Sequence, residues 1–188
     1  AYAYLAVTND IEGHTITLTG STIPSWATFV DLGAGTGTLT GTPVNADVGN
    51  HNVVITATDS TGASTDQSFI ISVANTNDAP TVATVIADAS TAEDALYSVD
   101  ISANFADVDV GDVLTYTATG MPTTMSMSTA GVLSGTPVNA DVGTYTIAVT
   151  ATDVAGVAVS DTFVLTVTNT NDAPTISSTA VLAATEDQ

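Results

Sequence analysis

The chain contains no lysine, no arginine and no cysteine. Ordinary domains are about 25% charged with both signs interspersed. Here 20 acidic residues have no Lys or Arg to pair with, so counter-charge must come from cations in solution. The formal net charge of -20 repels phosphate backbones and anionic membrane surfaces, which removes the term that carries nucleic-acid affinity. Lack of cysteine excludes disulfides and thiolate metal sites, and lack of lysine excludes side-chain isopeptide links. There is no N-x-Ser/Thr sequon. No apolar run is long enough for a membrane-spanning helix, so no membrane insertion is expected. Two histidines and many serines could make a nominal Ser-His-Asp set, but no G-x-S-x-G elbow or HExxH helix appears, and no cationic side chain could clamp an oxyanion. The chain is therefore expected not to be an enzyme. Hydrophobic residues, mostly Val, Ala, Ile and Leu, make up 44%, enough for a folded chain despite the charge.

What is present occurs twice. GTPVNADVG at Gly41–Gly49 returns at Gly135–Gly143, ATD at Ala57–Asp59 returns at Ala151–Asp153, and NTNDAP at Asn75–Pro80 returns at Asn169–Pro174. Each copy lies 94 residues on, half of the 188. A fixed period of this size marks tandem units stacked in a line. Residues 1–78 are expected to form one unit lacking its first strand, 79–172 a complete unit, and 173–188 the first strand of the next. The chain has no initiator Met and starts within a unit. Its last residues, Ala184–Gln188 (ATEDQ), match Ala92–Ala95 (AEDA), so the end reads into Ala1-Tyr2. A segment of a longer tandem protein is expected.

Period-two alternation of β-branched residues dominates. Tyr145, Ile147, Val149 and Ala151 are predicted to face inward, with Thr146, Ala148, Thr150 and Thr152 outward; Phe163, Leu165 and Val167 repeat the pattern. Their first-unit counterparts are His51, Val53, Ile55 and Ala57, then Phe69, Ile71 and Val73, while Ile16 and Leu18 correspond to Leu114 and Tyr116. Short strands broken by Gly, Pro, Asn and Asp argue an all-β fold of Greek-key β-sandwiches arranged end to end. The second unit is predicted to run A (81–91), B (96–102), C (113–119), short central strands to Ser134, F (144–152) and G (162–168). The first starts at B, Tyr2–Val7, and Thr175–Thr185 reads as an orphan A strand. Trp26 and Phe29, at the place of Met125 and Met127, are expected to plug the first core, with sugar stacking by Trp26 as the rival reading.

Asp141-Val-Gly143-Thr-Tyr145 resembles the tyrosine corner of immunoglobulin-like sandwiches, and His51 stands in for Tyr145 in the first unit. Asp107-Val-Asp109-Val-Gly111-Asp112-Val-Leu-Thr-Tyr116 resembles the cadherin calcium motif D-x-D-x-G-[ND]-x-x-x-Y. The order of these motifs, with the G-T-L-x-G-T-P turn at Gly37–Pro43, the ATD, the NTNDAP linker and a Glu near the end of strand A, is similar to bacterial cadherin-like, dystroglycan-type and putative-Ig modules of large surface proteins. That resemblance covers nearly the whole chain. It implies tandem Ig-like (cadherin-like) sandwiches and Ca2+ at the junctions, since a hard dication takes six to eight oxygen ligands. With A running down and B up, one junction would gather Asp47, Asn75, Asn77 and Asp78 with Asp107, Asp109, Asp112 and Asp153, completed by Glu186 from a neighbouring copy. The other would gather Glu93, Asp141, Asn169, Asn171 and Asp172, facing Asn9, Asp10, Glu12 and Asp59 of the next copy. Its motif is degraded, with His14 where Asp112 stands, so weaker binding is expected there.

The reading that follows is a structural, non-enzymatic segment of an extracellular microbial fibre or giant adhesin on the cell surface, stiffened by calcium. The alternative is a calcium-dependent carbohydrate-binding or adhesion module, for which Trp26, Tyr2 and Tyr4 are the candidate platforms. Expected partners are neighbouring copies head to tail and, on the alternative, surface polysaccharide. Nucleic acid is not an expected partner.

Overall fold

A computed structural model describes residues 1–109, 111–179 and 186. The chain divides into two compact units. One comprises residues 1–80 with the loops 106–114 and 153–157, the other residues 81–105, 115–152 and 158–188.

In the first unit, β1 (Tyr2–Val7), β2 (Ile16–Thr22), β3 (Ala27–Gly33), β4 (Thr36–Gly41), β5 (Gly49–Asp59) and β6 (Ser64–Val73) form two antiparallel sheets ordered β1-β4-β3 and β2-β5-β6. Alternating side chains meet in a core of Ala6, Leu18, Leu39, Val53, Ile55 and Ile71. Trp26 and Phe29 pack against that core, as their place before the Gly-Thr-Leu turn led us to expect.

The second unit contains β7 (Thr81–Val82), β8 (Ala89–Ala92), β9 (Tyr97–Asp100), β10 (Phe105–Ala106), β11 (Thr115–Thr119), β12 (Met125–Met127), β13 (Val132–Gly135), β14 (Gly143–Thr152) and β15 (Ala158–Thr168). One sheet runs β12-β13-β9, the other β11-β14-β15-β8, and β7 pairs with β10. Ile147, Val149, Ala151, Phe163, Leu165 and Val167 are buried between the sheets, in the predicted alternation. Both units are β-sandwiches.

Two predicted strands differ, A and B. Strand A is not continuous over 81–91. It breaks between β7 and β8, where the Ala83 and Thr84 N–H groups donate to the Asn104 carbonyl and the Asn104 amide donates to the Thr84 and Val85 carbonyls. The chain then crosses to β15, pinned by Ile86 N–H on Asp161 and Val164 N–H on Asp88. Strand B stops at Asp100, whose carboxylate accepts the Ser102 N–H and starts the 3-10 turn Ser102–Asn104. Of the predicted orphan strand, residues 175–179 are exposed and in no strand, and residues 180–185 lie outside the described residues.

The duplicated GTPVNADVG folds the same way twice. A 3-10 turn at Asn45–Asp47 and again at Asn139–Asp141 is closed by its own aspartate, which accepts the Val44 or Val138 N–H. His51 then hydrogen-bonds the Asp47 carbonyl through Nε2 at 2.6 Å, so the imidazole at the corner position is structural.

Candidate metal centre

The loop between β10 and β11 is wound around its own carboxylates. Asp109 N–H donates to Asp107 Oδ1 at 2.8 Å and Asp112 N–H donates to the Asp109 carbonyl at 3.3 Å. Gly111 takes φ of +94°, a left-handed conformation that glycine adopts without strain. Two other segments of the same compact unit close on this loop. Asp78 N–H donates to Asp109 Oδ2 at 2.8 Å, and the Asn77 amide donates to Asp153 Oδ2 at 2.9 Å. Asp153 is held in turn by the Val157 N–H at 2.7 Å.

These bonds leave three oxygens without a donor. Asp107 Oδ2, Asp109 Oδ1 and Asp112 Oδ2 are enclosed and unpartnered, and Asp109 is only 5% exposed. One carboxylate oxygen from each of the three residues lies within 4.8 Å of the others. At an effective dielectric near 20, like unit charges at that separation repel by roughly 3 kcal/mol per pair. With no Lys or Arg in the chain, no side-chain ammonium or guanidinium offsets that repulsion, and a bound cation would do so. The donors are all oxygen, which suits a hard dication such as Ca2+ over softer transition metals.

A second cluster sits in the same unit. Asp10 Oδ1 accepts the N–H groups of Glu12 and His14, and Asp59 Oδ1 accepts from Thr61 and Ala63. His14 Nδ1 faces Asp10 at 3.7 Å, Glu12 at 3.7 Å and Asp59 at 3.9 Å, enclosed and without a hydrogen-bond partner. An imidazole nitrogen here replaces one carboxylate oxygen, which lowers the charge offered to a hard cation.

The other residues singled out from the sequence have different surroundings. Asp47 and Asp141 close their 3-10 turns, and Asp141, 6% exposed, also accepts the Thr124 hydroxyl at 2.7 Å. One oxygen of each carboxylate is thereby engaged in the fold, and among the described residues neither residue belongs to a cluster of three possible ligands. Glu93, 2% exposed, accepts the Thr170 N–H at 2.8 Å through Oε1 and leaves Oε2 enclosed without a partner. Asn169 and Asn171 donate to the backbone carbonyls of Thr170 and Asp172. Asn9, Asn75 and Glu186 are exposed. Two residues escaped the sequence reading. Asn45 donates to Asp78 at 2.7 Å and Asn139 to Asp172 at 3.0 Å, tying each turn to the linker that follows its unit's last strand. Their signal was the duplicated N-A-D, of which only the aspartates were singled out.

Hydrogen bonding sets two of the clustered carboxyls. The Asn77 amide, then the backbone N–H groups of residues 155–157, hold Asp153 below the ordinary carboxylate range despite its desolvation. The Thr61 hydroxyl does the same for Asp59, with the backbone of residues 61–63 adding to it.

The family model described as Putative Ig domain matches residues 2–74 and 79–168. The chain belongs to this family. Among curated relatives, the Serine-rich adhesin for platelets of Staphylococcus aureus (strain USA300) is 33% identical over 172 residues, 90% of this chain and 7% of the adhesin. The corresponding adhesin of strain MRSA252 is also 33% identical over 172 residues, which make up 12% of its length. The chain thus spans only a small part of these relatives. Among solved structures, EC1-2 of human mucin-like protocadherin aligns with a TM-score of 0.66 at 18% identity, covering 90% of this chain and 99% of that one. EC1-2 of chicken VE-cadherin aligns with a TM-score of 0.54 at 16% identity, covering 89% and 92%. At such identities the likeness is one of fold. This Putative Ig domain chain has a cadherin-like fold and is similar to part of a surface adhesin, as its motifs led us to expect.

Proposed function

We propose that the chain is a non-enzymatic spacer segment of a surface adhesin or fibre, and that Ca2+ bound by Asp107, Asp109 and Asp112 stiffens it. The observation that carries the reading is the set of three enclosed, unpartnered carboxylate oxygens in a chain without a Lys or Arg. Asn77 and Asp78 follow the first repeat, while the loops 106–114 and 153–157 belong in sequence to the second. A cation fixing the aspartate loop against Asp78 therefore limits bending between repeats. The aromatic residues favour this reading over a sugar platform. Trp26 packs edge-on against Tyr2 and His51, at 6.0 Å and 5.7 Å between ring centroids, and the Tyr4 ring lies tilted against Phe69 at 5.0 Å.

Calorimetric titration and thermal melting test it. Ligand binding to the native state alone stabilises by about 2.7 kcal/mol at a hundredfold excess over Kd. Calcium should raise the melting temperature of the native chain, chelator should reverse the rise, and Asp109→Asn should abolish most of it. Identical melting and scattering profiles with and without chelator would remove the proposal. His14→Asp should add binding at the second cluster; an unchanged stoichiometry would leave that cluster without a role in calcium binding.

A further inference from the structure

The loop between β1 and β2 carries an imidazole where the loop between β10 and β11 carries its third carboxylate. His14 aligns with Asp112, and Asp59 aligns with Asp153. The glycine just before is left-handed in both loops, with φ of +80° at Gly13 and +94° at Gly111. The side chain that follows ends, in both, in an enclosed atom without a hydrogen-bond partner: Oδ2 of Asp112 in one and Nδ1 of His14 in the other. A nitrogen has replaced an oxygen at the same place in the motif.

Backbone N–H groups hold the carboxylates that face this nitrogen. Asp10 Oδ1 accepts the Glu12 N–H at 2.8 Å and the His14 N–H at 3.1 Å. Asp59 gives Oδ1 to the Thr61 and Ala63 N–H groups, at 2.8 Å and 2.9 Å, and turns Oδ2 toward the imidazole. The side chains of Asp10 and Asp59 are only 18% and 13% exposed. His14 Nδ1 stands 3.7 Å from Asp10 Oδ1, 3.7 Å from Glu12 Oε2 and 3.9 Å from Asp59 Oδ2. An imidazolium in an ion pair draws one oxygen to about 2.8 Å. Here none comes that close, and three oxygens lie at nearly one radius. Ligand atoms set tetrahedrally about 2.1 Å from a zinc ion are roughly 3.4 Å apart, so a contraction of a few tenths of an ångström closes the set around an ion. A cavity of about 260 Å³ reaches Asp10 and His14, which gives water access to the cluster.

We propose that Asp10, His14 and Asp59 form a second metal site, selective for a late first-row divalent cation of the Zn2+ class over Ca2+. Imidazole nitrogen is a good ligand for Zn2+, Cu2+ and Ni2+, whereas Ca2+ and Mg2+ take oxygen. With Nδ1 as the ligand, Nε2 keeps the imidazole proton. Glu12, whose side chain is 73% exposed, swings in as a further ligand, and water fills the remaining position. The ion ties the β1–β2 loop to the end of β5, and every ligand comes from residues 1–80 of the first compact unit. The site shares no residue with the calcium cluster at Asp107, Asp109 and Asp112 and does not depend on it.

The chain has only two histidines and no cysteine, so imidazole nitrogen chemical shifts read the site directly. Zn2+ is titrated into the native chain in excess Ca2+, which covers all-oxygen sites whether or not the loop at 107–112 is one of them. His14 Nδ1 should shift as the tightest Zn2+ site fills, while His51, whose Nε2 already bonds the Asp47 carbonyl, should stay unmoved. In calorimetry, His14→Ala and Asp59→Asn should each weaken that site by about 10- to 100-fold or more, since loss of a ligand costs at least as much as loss of the group that orients one. In His14→Asp, Ca2+ should displace Zn2+, which it fails to do in the native chain. Zn2+ binding that leaves His14 unmoved overturns the proposal and leaves an ion-pairing imidazole only. Displacement of Zn2+ from the native chain by an equal concentration of Ca2+ overturns it as well. Because His14 itself is the probe, neither result turns on the fate of the calcium proposal.

Discussion

Asn77 and Asp153 stand 76 positions apart in the chain and meet at 2.9 Å. Because the amide hydrogen-bonds the ionised carboxylate, Asp153 titrates below its ordinary range. A depressed folded-state value means that the bond's contribution is present above the unfolded-state range near pH 4 and is lost as pH falls through the lowered value. Asn77→Ala should therefore move the Asp153 carboxyl titration back upward, read by carboxyl carbon chemical shifts in chelator, and should reduce the stability lost on the acid side. An unmoved titration would show that the backbone N–H groups alone set it. Trp26 makes a second residue-scale prediction. It packs on the core and against two rings while remaining half-buried. Trp26→Ala should cost about 3 kcal/mol, the low end of the range for large aromatic truncations, measured by urea unfolding. Undiminished stability with lost polysaccharide binding would favour a sugar platform instead. The inward placement of Trp26 was legible from its position before the Gly-Thr-Leu turn. The pairing of Asn77 with Asp153 was not legible, because no local pattern links a linker amide to a loop carboxylate so far along the chain.

At the scale of the element, the duplicated G-T-P is explained by close strand approach. A Cβ on Gly135 would come within 2.7 Å of Met125 Cα and 2.5 Å of the Thr124 carbonyl oxygen, and one on Gly41 would run into the Trp26 carbonyl. Both glycines sit where the central strands β13 and β4 pair with their neighbours. Gly135→Ala should thus destabilise by about 1 to 3 kcal/mol, as overpacked sites do, and lower the urea midpoint without changing the slope. An unchanged midpoint would mean the backbone relaxes freely there. Strand F was readable nearly to the residue because its alternation is unbroken from Tyr145 to Ala151. Strand A was not, because Ala83 to Asp88 follow a β-compatible pattern while Asn104, Asp161 and Val164 pull the chain from one sheet to the other. That break is a tertiary decision made by partners distant in sequence.

For the molecule as a whole, the net charge of -20 sets an ionic-strength dependence. Self-repulsion acts across distances comparable to the Debye length, about 10 Å at 0.1 M and 3 Å at 1 M salt. Added sodium chloride should therefore raise the melting temperature of the metal-free chain, and by less once calcium is bound. Equal salt effects in chelator and calcium would show that the clustered aspartates add little to the repulsion. Composition alone fixes this behaviour, along with the absence of covalent braces and the need for external cations, because such properties depend on counts and not on positions. The tandem sandwich was likewise readable, since period-two burial and the 94-residue repeat are local and additive signals. Which acidic residues are free to meet a cation followed from packing. Asp47 and Asp141 share the acidic, turn-rich context of Asp107 and Asp109, yet each gives one oxygen to its 3-10 turn and, among the described residues, neither joins a cluster of three, while the loop at 107–112 leaves three oxygens enclosed and without donors. A carboxylate's task depends on the donors within about 3 Å of it, and for Asp109 and Asp153 those donors include Asp78 and Asn77, residues that only folding brings to them.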